Sequence, residues 1–301
     1  MFIICLTKTN KNNIIKTKNK QQKTNKTKQT HQLTLGGFTM KSDFEIKKEI
    51  CEIGKRIYEK GFIAANDGNI TVKVGPNEFW ATPTGVSKGY MTPDMLIKVD
   101  NEGRVLEGKL KPSSELRMHL RVYKERPDVG AVVHAHPPTA TGFAIAGIPL
   151  NKYTMPEAII FLGTVPIAEY GTPSTDEIPN ALSKYLQNYD AFLLENHGAL
   201  TVGTDLLTAF FKMDTLEFYA KISLVARQLG GEKELSCDKI EKLLDVRKQF
   251  NVPGKHPGCP SCNIDMNTPA APAKASSNVD EAEIVRIVTE VTRKILAEYK
   301  G

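Results

Sequence analysis

The sequence predicts an α/β protein in which helices cover a central, mostly antiparallel sheet. Short strand-like segments follow one another along the chain, and the helical segments between them are irregularly spaced, which disfavours a strictly alternating parallel sheet. Of the 301 residues, 41% are hydrophobic and 25% are charged, a balance typical of globular proteins. We place one compact domain at residues 40–255 and a separate amphipathic helix at residues 279–301.

The first half of the domain begins with a clear helix signal. Ser42 and Glu45 form an S-x-x-E capping box, and apolar residues recur at helical spacing until the chain reaches Lys60 and Gly61. The segments NITVKV, EFWAT, LIKVD and GAVVHAH then read as strands, and KPSSELRMHLRVY reads as a helix.

The second half of the domain shows three further signals. Ser174 and Glu177 form a second capping box, which predicts another helix. The run AFLLENHGALTVG predicts a hairpin, and Thr204 is placed to cap a long helix that ends near Leu229 before two glycines.

The positive charge of the chain is concentrated at its N-terminus. Residues 1–39 carry eight lysines and no acidic residue, so 40 less 8 leaves 32 Lys and Arg against 34 Asp and Glu in the remainder. This near balance argues against a nucleic-acid partner. The N-terminal stretch is Asn/Lys/Thr/Gln-rich, and we expect it to be disordered, or absent if translation starts at Met40. No apolar run approaches the ~20 residues of a membrane span.

The cysteines predict a reduced, cytoplasmic setting. Five are scattered along the chain without an export signal. His256, Cys259 and Cys262 in HPGCPSC have spacings that suit a metal or redox pair, but no second C-x-x-C accompanies them, so a structural loop is favoured. This loop opens residues 256–278, which continue as a Pro/Ala/Ser linker.

Two histidines mark the end of one predicted strand. In AVVHAHP, His134 and His136 face the same side of a β-strand because side chains alternate with a period of two. Either a shared metal ion or a pair of hydrogen-bonded histidines would fit this pattern. His197, in the predicted hairpin, is a third imidazole, and three neutral histidines can hold Zn²⁺ with one position open. Considered without the other two histidines, His197 would be interpreted as an ordinary turn residue.

Several polar residues could bind an anion. Ser113 and Ser114 stand where a helix begins, where free N–H groups and the helix dipole favour negative charge, although one serine could simply cap the helix. Glu115 follows them and could either complement the dipole or move a proton near a metal. Two turns offer backbone N–H groups and short polar side chains for a phosphate, although such turns are common. They contain Gly68 with Asn69, and Thr84 with Gly85.

Taken together, the ordered series GNIT, TPTG, KPSSE, HAHP and ENHG resembles the class II aldolase/adducin family, closest to the members that act on L-fuculose 1-phosphate. The resemblance covers about residues 44–250. It implies an α/β/α layered domain, a homotetramer with sites between subunits, and one Zn²⁺ per subunit. It also implies cleavage of a ketose 1-phosphate to dihydroxyacetone phosphate and L-lactaldehyde.

The resemblance assigns roles to the residues already singled out. It makes His134, His136 and His197 the zinc ligands and Glu115 the acid/base. It makes Gly68, Asn69, Thr84, Gly85, Ser113 and Ser114 the groups that hold the sugar phosphate. Related members include dehydratases. The alternatives that remain are a pentulose-5-phosphate 4-epimerase, another aldolase of the same family, and a non-catalytic adducin-like scaffold.

Two positions bear on the aldehyde half of the substrate. In the family, tyrosines contributed by the neighbouring subunit act on the aldehyde, and Tyr153 matches one of them by position, although the loop around it differs in length. The other falls near Phe250, which has no hydroxyl. The sugar specificity therefore does not follow from the resemblance.

The C-terminal segment has an apolar stripe on one helical face, formed by Ile284, Ile287, Val288, Val291, Ile295 and Tyr299. A terminal helix of this kind can dock on its own domain, but the long linker favours another chain as its partner. The segment resembles encapsulation peptides that bind bacterial microcompartment shells. We therefore expect a shell protein as partner and the microcompartment lumen as location. Membrane binding is disfavoured because its basic residues are balanced by glutamates.

Overall fold

The computed structural model describes residues 41–266, together with two short strands before them. These strands, β1 (Thr34–Leu35) and β2 (Phe38–Thr39), pair antiparallel within a segment where the sequence predicted no strand. The other predictions for residues 1–39, and the helix predicted at 279–301, lie outside the described residues.

Seven helices and eight further strands make up residues 41–266. The helices are α1 (Asp43–Glu59), α2 (Leu116–Glu125), α3 (Pro138–Ile145), α4 (Pro156–Phe161), α5 (Glu177–Ser183), α6 (Leu206–Gln228) and α7 (Cys237–Gln249). The strands are β3 (Asn69–Gly75), β4 (Glu78–Ala81), β5 (Ile97–Val99), β6 (Val105–Glu107), β7 (Ala131–Ala135), β8 (Ile167–Ala168), β9 (Ala191–Leu194) and β10 (Gly198–Gly203). No helix in this part of the chain combines the length and apolar character that crossing a bilayer requires.

The eight strands form one sheet in the order β6-β5-β4-β3-β7-β10-β9-β8. Every neighbouring pair is antiparallel except β8 and β9, so the predicted mostly antiparallel sheet is confirmed. Strand β7 lies between β3 and β10, and β10 and β9 form the predicted hairpin. This order brings the ends of β3, β7 and β10 together, and the candidate site lies there.

Helices cover both faces of the sheet, which confirms the α/β/α layering. On β7, Val133 packs with α1, α3 and α6, whereas Val132 packs with α2 and α5 on the opposite face. Both residues are fully buried. Because a strand between two helical layers buries both faces, β7 is apolar at nearly every position up to its histidine.

The helix starts were predicted with mixed success. The capping box of α1 is present, with Ser42 Oγ accepting from the Glu45 N–H and the Glu45 carboxylate accepting from the Ser42 N–H. The prediction of a second capping box at Ser174 and Glu177 is wrong. The Glu177 carboxylate accepts instead from the Thr172 N–H, and Asp176 precedes the first residue of α5. Asp205, one residue after the predicted Thr204, caps α6.

The segment after α7 belongs to the folded domain. Cys259 is fully buried in a third cluster with Tyr153, Ile159, Ile240 and Leu244 of α4, α7 and the loop before α4. The folded part therefore continues through residue 266, beyond the boundary expected at 255.

Two cysteine expectations are corrected or refined by this packing. Cys262 forms a disulfide with Cys237 at the start of α7, so these two cysteines are not reduced thiols. Cys259 keeps a buried free thiol and does not pair with Cys262. Both ring nitrogens of His256 are hydrogen-bonded, one to the Ile159 carbonyl and the other to the Gly258 N–H. The favoured interpretation of HPGCPSC as a structural loop agrees with these contacts.

Candidate metal and phosphate site

The three histidines converge where the central strands β7 and β10 meet the neighbouring turn, at one end of the sheet. His134 is on β7, His136 follows the strand directly, and His197 lies in the turn between β9 and β10. Their ligand nitrogens all lie within 4.8 Å of one another. Gly198 permits this approach, because a Cβ there would be 2.5 Å from the His136 ring.

The neighbours of His134 and His136 leave one ring nitrogen of each histidine facing the other. His134 Nδ1 lies 2.8 Å from the Ala199 carbonyl, an acceptor, so Nδ1 carries the proton and Nε2 offers a lone pair. His136 Nδ1 faces Asp67 at 3.6 Å, and its Nε2 lies 3.2 Å from His134 Nε2. At this distance the two nitrogens can share one proton in a hydrogen bond or direct both lone pairs to a common cation, so the site fits a metal ion.

The protonation of the histidines agrees with this arrangement. Burial lowers the pKa of His134 to about 3 and also lowers the pKa of His136. Imidazole binds metals in its neutral form, which burial favours at neutral pH. The carbonyl of Ala199 also fixes the orientation of the His134 ring, as partners of metal-binding histidines commonly do.

Glu115 joins the histidines to the anion-binding residues. One carboxylate oxygen lies 2.9 Å from His197 Nε2, and the other lies 3.5 Å from His134 Nε2 and accepts from the Asn69 amide at 2.6 Å. Burial alone would raise the pKa of Glu115. The adjacent His134 and His197 and the Asn69 hydrogen bond outweigh burial and hold this pKa well below its ordinary value.

The predicted phosphate residues surround a cavity of about 240 Å³ beside the histidines. The lining includes Gly68, Asn69, Thr84, Ser113, Ser114, Glu115, His136 and His197. Gly85 is next to Thr84 and has a φ of 73°. At Gly68, φ is 70° and a Cβ would lie 2.9 Å from the His134 carbonyl oxygen, so only glycine lets this turn approach β7.

Tyr153 does not reach this cavity. Its side chain is 5% exposed, and its hydroxyl donates to the Gly258 carbonyl at 2.7 Å. This burial and this bond favour a structural role, in which the tyrosine packs the segment after α7 against α4 and α7, over the catalytic role in a neighbouring subunit's site that the resemblance implies. Phe250, at the other expected tyrosine position, is 75% exposed.

Other residues of the cavity were missed by the sequence analysis. Asn66, Asp67, Lys88 and Pro173 also line it. Asp67 stands inside the quoted turn NDGNIT, and Lys88 follows TPTG by three positions, so proximity in sequence was an available signal. A lysine in a surface-like sequence gives no sign of burial, however.

Comparisons with known proteins show the family to which the chain belongs. The family model of the class II aldolase and adducin N-terminal domain matches residues 48–224. The L-fuculose phosphate aldolase of Methanococcus vannielii is 35% identical over 176 residues, which are 58% of this chain and 94% of that protein. The 3-oxo-tetronate 4-phosphate decarboxylase of Haemophilus influenzae is 32% identical over 197 residues, which are 64% and 91% of the two chains.

A solved structure of an L-fuculose 1-phosphate aldolase has a TM-score of 0.64 and 32% identity, covering 69% of this chain and 98% of that chain. The family match extends from α1 into α6, and the three histidines of the candidate site, Glu115 and the anion-binding residues fall within it. Class II aldolases depend on a metal ion, and the three histidines provide a site that could hold one. The chain belongs to the class II aldolase and adducin family and is a lyase of the class II aldolase type.

Proposed function

We propose that the chain is a zinc-dependent aldolase that cleaves L-fuculose 1-phosphate to dihydroxyacetone phosphate and L-lactaldehyde. The observation that carries the proposal is the meeting of three histidine nitrogens and the Glu115 carboxylate at the wall of a cavity lined by anion-binding groups. The names of the Methanococcus relative and of the similar solved structure support this substrate.

The metal in this proposal is Zn²⁺, held by His134, His136 and His197. Three neutral imidazoles suit zinc and leave a coordination position for substrate, whereas Mg²⁺ prefers oxygen ligands. When bound, the metal acts as a Lewis acid that polarises the substrate carbonyl and stabilises the charge that develops as the carbon–carbon bond breaks.

The phosphate is held by donors on three elements. Ser113 and Ser114 precede α2, whose N-terminus adds its positive dipole end. Asn69 and Thr84 add side-chain donors, and the turns at Gly68 and Gly85 add backbone N–H groups. These groups orient the phosphate-bearing half of the sugar toward the histidines.

Glu115 moves the proton that the cleavage requires. The C4 hydroxyl must lose a proton when the C3–C4 bond breaks, and C3 must gain one to give dihydroxyacetone phosphate. Glu115 lies beside the histidines and the phosphate-binding residues, where its carboxylate can accept the first proton, and the same carboxyl can return it to C3. The second oxygen stays oriented by Asn69.

Decarboxylation of 3-oxo-tetronate 4-phosphate is the second candidate function. The Haemophilus relative supports it at an identity close to that of the aldolase relatives. In that reaction the C1–C2 bond breaks, CO₂ leaves, and a proton is added to C2, which also yields dihydroxyacetone phosphate. The same phosphate cavity and proton donor would serve both reactions. The reactions differ only in the second product, which is lactaldehyde in the aldolase reaction and CO₂ in the decarboxylase reaction.

The discriminating experiment offers both substrates to the metal-loaded protein and measures dihydroxyacetone phosphate together with either lactaldehyde or CO₂. The proposal expects lactaldehyde release from L-fuculose 1-phosphate and a much lower rate of CO₂ release from the tetronate. The reverse result would assign the decarboxylase activity. Zinc binding with turnover of neither substrate would direct attention to epimerisation, and absence of zinc would favour a scaffold.

Assembly and location complete the proposal. We propose a homotetramer, tested by light scattering, which should give the mass of four chains.

We also propose that residues 279–301 bind a microcompartment shell protein and carry the enzyme into the lumen. A fluorescent protein fused to residues 263–301 should form foci in cells that make the shell, and diffuse fluorescence there would contradict targeting.

A further inference from the structure

Lys88 is a buried cation at the wall of the phosphate cavity. It begins the short helical turn Lys88–Tyr90, three residues after Gly85, and is 3% exposed. Its backbone is held tightly against α1, because a Cβ at Gly54 would lie 2.8 Å from the Lys88 carbonyl oxygen. The side chain therefore extends from a fixed base toward the cavity that Asn69 and Ser113 line.

The Lys88 ammonium ties together the two turns proposed to hold phosphate. It donates to the Asn66 carbonyl at 2.5 Å and to the Val86 carbonyl at 3.0 Å. Asn66 begins the turn that contains Gly68 and Asn69, and Val86 ends the turn that contains Thr84 and Gly85. An ammonium group has three N–H donors, so one remains for a ligand in the cavity.

The charge of Lys88 lacks a direct partner in the described part of the chain. No carboxylate there lies within ion-pair distance of its Nζ, although Asp67 and Glu115 act on it from farther away. Burial lowers the pKa of Lys88 to about 8, against the opposing effect of these two carboxylates. Burying a cation without a paired anion costs free energy, which binding of an anion would offset.

The cavity also needs positive charge if it binds a phosphate. Among the described residues that line it, Asp67 and Glu115 are acidic and Lys88 is the single lysine or arginine. Serine, threonine and backbone donors are neutral and cannot compensate for two carboxylates facing a dianion. Lys88 is therefore the protein group that can make the cavity prefer a charged phosphate ester.

We propose that Lys88 is a positioning and specificity residue for the phosphate: it holds the two glycine turns in register and supplies the charge that selects a phosphorylated substrate over its uncharged analogue. The inference rests on the proposed function, since it specifies how the same cavity recognises its substrate.

The test compares binding of dihydroxyacetone phosphate, inorganic phosphate and unphosphorylated dihydroxyacetone to the zinc-loaded protein by calorimetry or competition. Lys88→Met removes charge and donors, Lys88→Gln keeps a neutral amide donor, and Lys88→Arg keeps the charge. Lys98→Met is the matched control, because Lys98 is also largely buried but pairs with Asp43 away from the cavity.

Loss of a charge-assisted contact predicts a 10- to 100-fold weaker affinity, on the order expected for such bonds, for both phosphate ligands in Lys88→Met and Lys88→Gln. Affinity for dihydroxyacetone should stay within about twofold, Lys88→Arg should recover much of the loss, and Lys98→Met should bind like the wild type. If Lys88→Met does not fold, comparing the affinities of Lys88→Gln and Lys88→Arg still separates the loss of charge from the loss of a donor.

Equal losses for dihydroxyacetone and its phosphate would show a purely structural role and overturn the inference, as would unchanged phosphate affinity in both neutral variants. Binding of inorganic phosphate requires no turnover. If the protein cleaves neither sugar acid nor sugar phosphate but phosphate binding still depends on Lys88, the proposed function fails and this inference stands.

Discussion

Asn69 donates its side-chain amide to the Glu115 carboxylate at 2.6 Å, across 46 positions of sequence. The contact joins β3 to the start of α2 and fixes one carboxylate oxygen, while the other lies 2.9 Å from His197. The proposed proton carrier is thus held between the phosphate-binding turn and the metal ligands. Small movements of the phosphate-binding turn or of the metal ligands would change the position of the Glu115 carboxylate relative to a substrate.

Substitution Glu115→Gln should lower kcat by about 10² to 10⁴, the usual contribution of a general acid or base. The amide can still accept from Asn69, so the fold and the zinc content should be retained. Stopped assays of dihydroxyacetone phosphate and metal analysis measure the two properties. Glu125→Gln, at the other end of α2, serves as the control and should keep wild-type kcat. A Glu115→Gln enzyme within tenfold of the wild type would contradict the assigned role.

Substitution Tyr153→Phe should affect stability and leave catalysis unchanged. It removes the hydrogen bond to the Gly258 carbonyl, which predicts a loss of about 1 kcal/mol in the free energy of unfolding. We expect kcat to remain within about twofold of the wild type. Denaturant unfolding and steady-state assays test this. A large fall in kcat at unchanged stability would support the catalytic role that the resemblance implies.

Reduction of the Cys237–Cys262 disulfide should destabilise the domain. The bond closes a loop with a sequence separation of 25 residues, for which chain entropy predicts about 3.5 kcal/mol of stabilisation. Unfolding of the wild type with and without a reductant, beside a Cys237→Ser variant, measures this contribution. The variant should be insensitive to the reductant. Equal stability of the wild type in both conditions would show that the disulfide does not form.

Acid should destabilise the fold through buried neutral histidines. Burial lowers the pKa of His119 and of His256 to about 4, from an unfolded value near 6.5. The unfolded chain therefore binds more protons, and stability is lost as the pH falls from about 6.5 toward 4. Each histidine contributes a slope of at most about 1.4 kcal/mol per pH unit.

The variant His119→Gln isolates one of these contributions. Urea unfolding of both proteins, with a chelator present to remove metal effects, should give a shallower pH dependence for the variant between pH 6.5 and 4. Parallel curves for the two proteins would mean that His119 is not the neutral buried group described.

The site was largely predictable because its parts follow local rules. Strand alternation placed His134 and His136 on one side, and the glycine after His197 indicated a tight turn. The serines of KPSSE marked a helix start, and α2 begins two residues after Ser114. The antiparallel sheet was likewise predictable from strands that are neighbours in sequence.

The failures involve contacts between distant segments. The Tyr153 hydroxyl is engaged by the segment containing Gly258, which lies 105 positions away. Cys237 and Cys262 meet only because that segment returns to α7, and no local pattern indicates this. At Glu177, the nearby Thr172 N–H competes for the carboxylate that the capping box required. Burial of Lys88 depends on how the two turns pack beside α1.

The most direct test of the central claim is restoration of activity by metal. Chelated protein is titrated with Zn²⁺ while dihydroxyacetone phosphate release from L-fuculose 1-phosphate is measured, for the wild type, His134→Ala and the control His256→Asn. The account predicts restoration that saturates at one zinc per chain in the wild type and control, and none in His134→Ala. Full turnover by the metal-free protein, or wild-type restoration of His134→Ala, would contradict it.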